Sequence, residues 1–201
     1  MTPTQIDWNQ CYQTGDTPWD KGAPAPLLPV LLEKAPALFQ GRVLVPGCGT
    51  GQDARFLAAQ GAKVVAVDIA SLALERARKL DPTGSVEWRQ ADLFDMPNDL
   101  LGKFDRVWEH TCLSALEPPM RTAYAIALKS ALKPGGSLYG VFYINPDMDP
   151  GESGPPFGIP TEELMNLWES AGLEIKEHWV PDVAYEGRAG RELFLWAVKP
   201  E

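Results

Sequence analysis

The chain has 201 residues, 45% of them hydrophobic and 22% charged, and carries a formal charge of −9 at neutral pH. That length suits one domain, 1–201, with a proper core, and the negative balance argues against nucleic acid or an anionic membrane surface as partner, since either polyanion is repelled. No apolar run is long enough to span a bilayer, residues 1–5 have no leader character, and Cys11, Cys48 and Cys112 are too few for a disulfide framework, so a reducing, cytoplasmic setting is expected.

Residues 5–26 carry Trp8, Tyr12 and Trp19 among Gly15, Pro18, Gly22, Pro24 and Pro26. Two readings stay open: an irregular arm pinned to the core by its aromatics, or a lid that offers flat apolar surfaces to a ligand. Over residues 26–39 the apolar positions Leu27, Leu28, Leu31, Leu32, Ala35 and Leu38 recur at helical spacing. Proline suits the first turn of that helix, and Pro36 ends or bends it.

A repeating pattern follows. Residues 42–45 read as a strand, and 51–60 as a helix closed by Gly61. Residues 62–67 form a second strand ending at Asp68. A helix over 71–80 places Arg76, Arg78 and Lys79 near its C-terminal end, where cations suit the dipole. Strands over 85–90 and 104–108 lead to Asp92 and Glu109. A long helix over 117–132 is closed by Lys133-Pro134-Gly135-Gly136, and 137–143 is a fifth strand. Residues 145–160 hold five prolines and three glycines and exclude a regular element; such loops are commonly functional. A helix over 161–171 and strands over 173–180 and 192–198 close the chain. The alternation predicts an α/β fold: a seven-stranded, mostly parallel sheet flanked by helices. The last two strands lack a helix between them and should form an antiparallel C-terminal hairpin. Residues 1–40 form an N-terminal arm and helix, which on the lid reading cover the ligand site.

The chemistry centres on Val43-Leu44-Val45-Pro46-Gly47-Cys48-Gly49-Thr50-Gly51, a buried strand, a tight turn and a helix start. Glycine permits the sharp turn and a close ligand approach, and free N–H groups at the helix start suit a polar or anionic group. Dinucleotides and S-adenosylmethionine both use this construction. The dinucleotide pattern needs a small residue at 52, where Gln52 stands. S-adenosylmethionine, which has no phosphates to cradle, is therefore favoured over a nicotinamide cofactor; a ligand-free βα turn is the bland alternative. Ligands of such sheets bind beyond the carboxyl ends of the strands. There the chain offers the glycines, then Asp68 for a ribose, Asp92-Leu93 for an adenine edge and face, and Glu109-His110-Thr111-Cys112.

These residues resemble a class I S-adenosylmethionine-dependent methyltransferase of the thiopurine S-methyltransferase superfamily, and more closely its halide/thiol methyltransferase branch, with a Rossmann-like fold. The resemblance runs through Trp8-x-x-x-Tyr12, Gly15-Asp16-Thr17-Pro18-Trp19-Asp20-Lys21-Gly22, the Pro46-Gly47-Cys48-Gly49 turn and Val67-Asp68-Ile69. It continues in Ala91-Asp92-Leu93-Phe94, Phe104-Asp105, Leu116-Glu117-Pro118 with Arg121, Leu132-Lys133-Pro134-Gly135-Gly136 and Pro155-Pro156-Phe157. It implies that Trp8, Tyr12 and Trp19 line the cofactor site from the arm. Gly47 would meet the methionine end, Asp68 the ribose, and Asp92 with Leu93 the adenine, with Gly49 and Ile69 in the same cofactor-binding set. Glu109 and His110 would complete the cofactor-binding set, and Tyr143 and Phe157 would face the acceptor. His110 reads as a wall residue or as a general base. No metal is expected, because His110 and Cys112 lack a second ligand pair.

The implied reaction is in-line methyl transfer to a small soft nucleophile such as a thiol, bisulfide, thiocyanate or halide, leaving S-adenosylhomocysteine. An already ionised acceptor needs no catalytic acid or base. Rival readings are a methyltransferase for a larger thiol-bearing or thiopurine-like molecule, and a non-catalytic S-adenosylmethionine-binding module. Monomer and dimer are equally compatible with the sequence.

Overall fold

The structure, a computed structural model, describes residues 6–146, 148 and 154–201. Residues 1–5 and part of the proline-rich 145–160 loop thus lie outside the described residues. Seven strands build one sheet: β1 (Arg42–Pro46), β2 (Lys63–Asp68), β3 (Glu87–Gln90), β4 (Phe104–His110), β5 (Leu132–Tyr143), β6 (Glu174–Trp179) and β7 (Glu192–Val198). Their order is β3-β2-β1-β4-β5-β7-β6. The first five pair in parallel, whereas β7 runs antiparallel between β5 and β6. This is the Rossmann-like α/β sheet with its antiparallel C-terminal hairpin. Strand order reverses between β1 and β4, which opens a crevice at their carboxyl ends.

Six helices flank the sheet: α1 (Trp8–Thr14), α2 (Leu27–Lys34), α3 (Gln52–Ala59), α4 (Ser71–Lys79), α5 (Arg121–Ala131) and α6 (Thr161–Ser170). The central strands are covered on both faces, so they read as continuous apolar runs rather than alternating ones. Successive side chains still point to opposite faces. Leu44, Val107 and Leu138 pack with Tyr124 and Leu128 of α5 and Trp168 of α6. Val43, Val45, Trp108 and Tyr139 pack with Leu28 and Leu31 of α2 and Leu57 of α3.

Several boundaries differ from the sequence reading for identifiable reasons. The arm is not wholly irregular: Asp7 accepts a hydrogen bond from the Gln10 amide and starts α1, which Gly15 ends at φ +81°. Helix α2 ends at Lys34, just short of the position before Pro36, where proline disfavours helical backbone. The expected helix over 117–132 begins instead with a 3₁₀ turn, Pro118–Met120. Strand β4 runs past Trp108 because Glu109 pairs with Gly140 and His110 with Val141. Strand β5 starts early because Leu132 pairs with Phe104 before the register shifts.

The edge strand β3 has one strong local anchor. Asp81, buried after α4, accepts hydrogen bonds from the Ser85 amide (3.0 Å) and hydroxyl (2.8 Å), the Val86 amide (3.1 Å) and the Trp88 indole (3.0 Å). Burial works against the charge, but these donors prevail and lower the carboxyl to about 2. The stabilisation is therefore present above the unfolded value near about 3.9 and is lost as pH falls through the folded one. Asp81→Asn is expected to cost about 2 kcal/mol at pH 7, with the gap shrinking below about pH 3. Urea denaturation at both pH values checks this, and a pH-independent cost would show that the charge is not what holds the turn.

Candidate active site

The turn after β1 is built around positive φ angles: +55° at Gly47, +55° at Gly49 and +79° at Gly51. Side chains are strained there, and the surroundings are also full. A Cβ on Gly47 would lie 2.4 Å from Cys112 Sγ, and one on Gly51 2.1 Å from the Trp88 ring. The protein's own packing thus requires these glycines before any ligand does. The Gly49 amide donates to Asp68 Oδ2 (2.7 Å) and the Ala70 amide to Oδ1 (2.8 Å), so Asp68 ties the turn to the start of α4. Burial raises the Asp68 pKa against the effect of these amides.

The aromatic arm reaches the same turn. Tyr12 is buried on Ala70, just before α4, and Ala73 within it, with Trp8 and Trp19 packed around it. Trp19 Nε1 donates to the Tyr12 hydroxyl at 3.2 Å, and Trp8 meets Trp19 edge-on with ring centroids 5.4 Å apart. Thr50 Oγ1 donates to Asp20 Oδ2 at 2.6 Å, which fastens the arm to the first residues before α3.

A second constellation lies across the cleft. Asp53, in the first turn of α3, accepts hydrogen bonds from the Ala25 amide (2.7 Å) and the Trp108 indole (2.8 Å). Its Oδ2 also lies 3.0 Å from His110 Nδ1. An ionised carboxylate only accepts, so His110 carries its proton on Nδ1. Burial opposes charge on both groups, yet each stabilises the other: the Asp53 pKa is lowered and that of His110 raised. The imidazole stacks on Tyr185 at 5.9 Å and 27°, and the Tyr185 hydroxyl donates to the Ala23 carbonyl at 2.6 Å. Arg188 lies over the rings of Tyr185 (5.5 Å) and Tyr143 (4.9 Å) and contacts Glu192 at 3.1 Å.

Of the residues singled out in the sequence, Tyr12, Trp19, Gly47, Gly49 and His110 line one cleft together. Trp8 stands behind Trp19, and Asp68 behind Gly49. Ile69 is half-exposed beside them. Asp92 starts a short 3₁₀ turn and accepts from the Phe94 amide at 2.8 Å, while Leu93 packs toward the core beneath α5. Glu109, expected at the cofactor, instead points into that core. It accepts from the Leu113 amide (2.7 Å) and the Tyr124 hydroxyl (3.2 Å), and its Oε2 is buried with no well-formed hydrogen bond among the described residues. Tyr143 sits under Arg188, and the Phe157 amide donates to the Ser114 carbonyl at 2.7 Å; neither residue lines the cleft. Among the described residues, no group of three His, Cys, Asp or Glu side chains is arranged to hold a metal ion.

Two cleft residues, Asp53 and Tyr185, carry no mark in the sequence, and Asp20 appears there only as part of the Gly15–Gly22 motif. Asp53 reads in the sequence as an ordinary first-turn acid favoured by the helix dipole. Tyr185 comes from the connection between β6 and β7, where no periodicity marks it.

The family model for thiopurine S-methyltransferase matches residues 4–192. A probable thiol methyltransferase 2 from Arabidopsis thaliana is 32% identical over 189 residues, 92% of this chain and 81% of its own length. Thiocyanate methyltransferase 1 from Brassica oleracea is 36% identical over 172 residues, 83% and 73% of the two chains. A solved structure concerned with converting a disulfide bond into a thioacetal group during echinomycin biosynthesis has a TM-score of 0.75 at 26% identity. It covers 91% of this chain and 84% of that one.

Glu109 gives this site a measurable signature. Burial pushes its carboxyl up to about 7, despite the donors from Leu113 and Tyr124 and the charge of His110. A raised folded value means stability that is complete below the unfolded value of about 4.3 and is lost as pH rises through the folded one. Glu109→Gln, neutral throughout, is expected to flatten a loss of about 3 kcal/mol between about pH 4.5 and 7. The fall due to His110 should persist in the variant. Denaturant midpoints across that range check the prediction.

Proposed function

This chain belongs to the thiopurine S-methyltransferase family of S-adenosylmethionine-dependent enzymes, and we propose that its acceptor is a small soft nucleophile: a thiol, bisulfide, thiocyanate or halide. The observation that carries this reading is the wall of the cleft. Tyr12, Trp19, His110 and Tyr185 enclose the space above the glycine turn, and the Tyr185–Ala23 hydrogen bond closes it on the arm side. The thiol and thiocyanate methyltransferases among its relatives support the same class.

The cofactor fits what surrounds the turn. The main chain of Gly47 and Gly49 would take the methionine end, and the flat faces of Tyr12 and Trp19 would cover it. Asp68 and Asp92 stand at the carboxyl ends of the neighbouring strands β2 and β3, where Asp68 pairs with Gln90; ribose and adenine belong there. The cofactor supplies an electrophilic methyl group on a sulfonium. The acceptor would take that methyl carbon with a lone pair, and the electrons of the broken carbon–sulfur bond would stay on S-adenosylhomocysteine as the product thioether. With an anionic acceptor, charge is annihilated on the way to the transition state, so a site that excludes water favours the reaction. The other contribution of the chain is alignment of nucleophile, carbon and sulfur. No acid or base is needed when the acceptor is already ionised.

The setting proposed is cytoplasmic and the partner a small molecule. Among the described residues, no helix is long and apolar enough to cross a membrane. A larger sulfur-bearing acceptor is the second reading, favoured by the likeness to the structure concerned with echinomycin biosynthesis. An acceptor panel of bisulfide, thiocyanate, iodide, small thiols and bulky aromatic thiols, read by S-adenosylhomocysteine formation, separates the two. Turnover confined to bulky thiols would replace the small-acceptor reading. Trp19→Ala is expected to weaken S-adenosylmethionine binding about tenfold, roughly 1.4 kcal/mol, with little change in melting temperature. Unchanged affinity would make Trp19 a structural residue only.

A further inference from the structure

We infer that His110, fixed by Asp53 and roofed by Tyr185, anchors the negative charge of the acceptor through its Nε2–H. The inference deepens the small-acceptor reading and rests on it. An imidazole has two polar atoms on opposite sides of the ring. Nδ1 is committed to Asp53 at 3.0 Å. Nε2 makes no hydrogen bond among the described residues, and His110 lines the cleft. The ring cannot turn to exchange the two nitrogens freely, because Tyr185 stacks on one of its sides and Trp108 packs at 6.3 Å.

The surrounding charges favour the cationic form of the ring. Asp53 on α3 faces it directly, and burial of the ring is outweighed by that carboxylate. Glu192 on β7 adds to the effect, while Arg188, in the connection before β7, opposes it. Arg188 and Glu192 are themselves paired at 3.1 Å, so their influences on His110 largely cancel. Tyr185, between His110 and Arg188, is kept neutral by burial. Glu109, the adjacent residue on β4, points to the opposite side of the sheet. Asp53 is no substitute anchor, since its oxygens already take three donors and its charge would repel an anion.

This assignment separates two roles that otherwise look alike. A charged imidazole has no lone pair on Nε2, so it binds an anion and cannot take a proton from one. A general base works in the reverse sense, becoming active as the ring loses its proton. The expected preference is for acceptors that carry a full negative charge over neutral thiols of the same size.

Thiocyanate is the probe, because it stays ionised across the whole pH range. With saturating S-adenosylmethionine, KM for thiocyanate is expected to rise about tenfold per pH unit above the His110 titration, while kcat and cofactor affinity stay level. His110→Gln keeps a donor toward Asp53 but has no charge; its KM should be at least tenfold higher at pH 6 and independent of pH. The wild-type profile reads the same point should that variant not fold. A KM for thiocyanate that is flat with pH, or one that falls as pH rises, overturns the inference. Absence of turnover with every sulfur and halide acceptor instead overturns the small-acceptor reading. The anchor is then read by titrating thiocyanate into the complex with S-adenosylhomocysteine. Binding that is lost over the same pH range supports it, and no binding at any pH refutes it.

Discussion

One buried carboxylate holds the two halves of the cleft in register. Asp53 accepts from the Ala25 amide ahead of α2, from the Trp108 indole inside β4, and from His110 at the end of β4. Its own position is set by the first turn of α3, and therefore by the glycine turn after β1. The crevice at the strand reversal is thus spanned by a single charged group. An ion removed from water is expensive unless its lone pairs are met. Here three donors meet them, one of which can itself carry the opposite charge. Loss of any of the three would leave an underpaired charge in a dry place. That asymmetry ties the path of the arm, the end of β4 and the helix start to one geometry.

The glycine turn shows how conformational and steric demands coincide. Positive φ alone would admit an occasional Asn, but the space beside Gly47 is filled by Cys112 and that beside Gly51 by Trp88. Cys112 reaches its place because β4 stops after His110 and the chain turns at Thr111, a β-branched residue held at φ +60°. That conformation is unfavourable for such a side chain. It is held by the Thr111 amide on the Val141 carbonyl (3.2 Å) and by the Ser114 hydroxyl on the Thr111 carbonyl (2.7 Å). Backbone strain of this kind clusters at functional sites, and this one borders the cleft. The strand that delivers His110 and the turn that would receive the cofactor are therefore packed against each other through Gly47 and Cys112.

The fold was legible because its signals are local. Apolar β-branched runs, glycine stops and cationic helix ends recur through residues 42–143, and a buried parallel sheet needs that composition. The hairpin order was also readable, since two strands without a helix between them can hardly be parallel neighbours. Boundaries failed where pairing with a neighbour, rather than propensity, decides the end of an element, as at Glu109 and Leu132. The site was legible in part: Tyr12, Trp19, Gly47, Gly49 and His110 do share one cleft. Asp53 was hidden because an acid in a first turn has an ordinary local explanation. Tyr185 was hidden because it lies in an irregular connection far along the chain from both His110 and Ala23, the residues it meets. Neither is visible without the tertiary contact that gives it a role.

Glu109 and His110 show what the extra length of β4 accomplishes. Adjacent residues on a strand point to opposite faces, so one step of the backbone separates two titratable groups into two environments. Glu109 enters the core beneath α5, where burial favours its neutral form. His110 enters the cleft, where Asp53 favours the charged form. Ending the strand at Trp108 would free both side chains to share the solvent at the crevice mouth, where a carboxylate and an imidazole would pair with each other. Pairing of both residues with β5 forbids that. Glu109 is thereby kept out of the cleft, while His110 stays beside Asp53 at its wall. Electrostatic polarity across the sheet follows from strand length, and strand length from the hydrogen bonds of Gly140 and Val141 on the neighbouring strand.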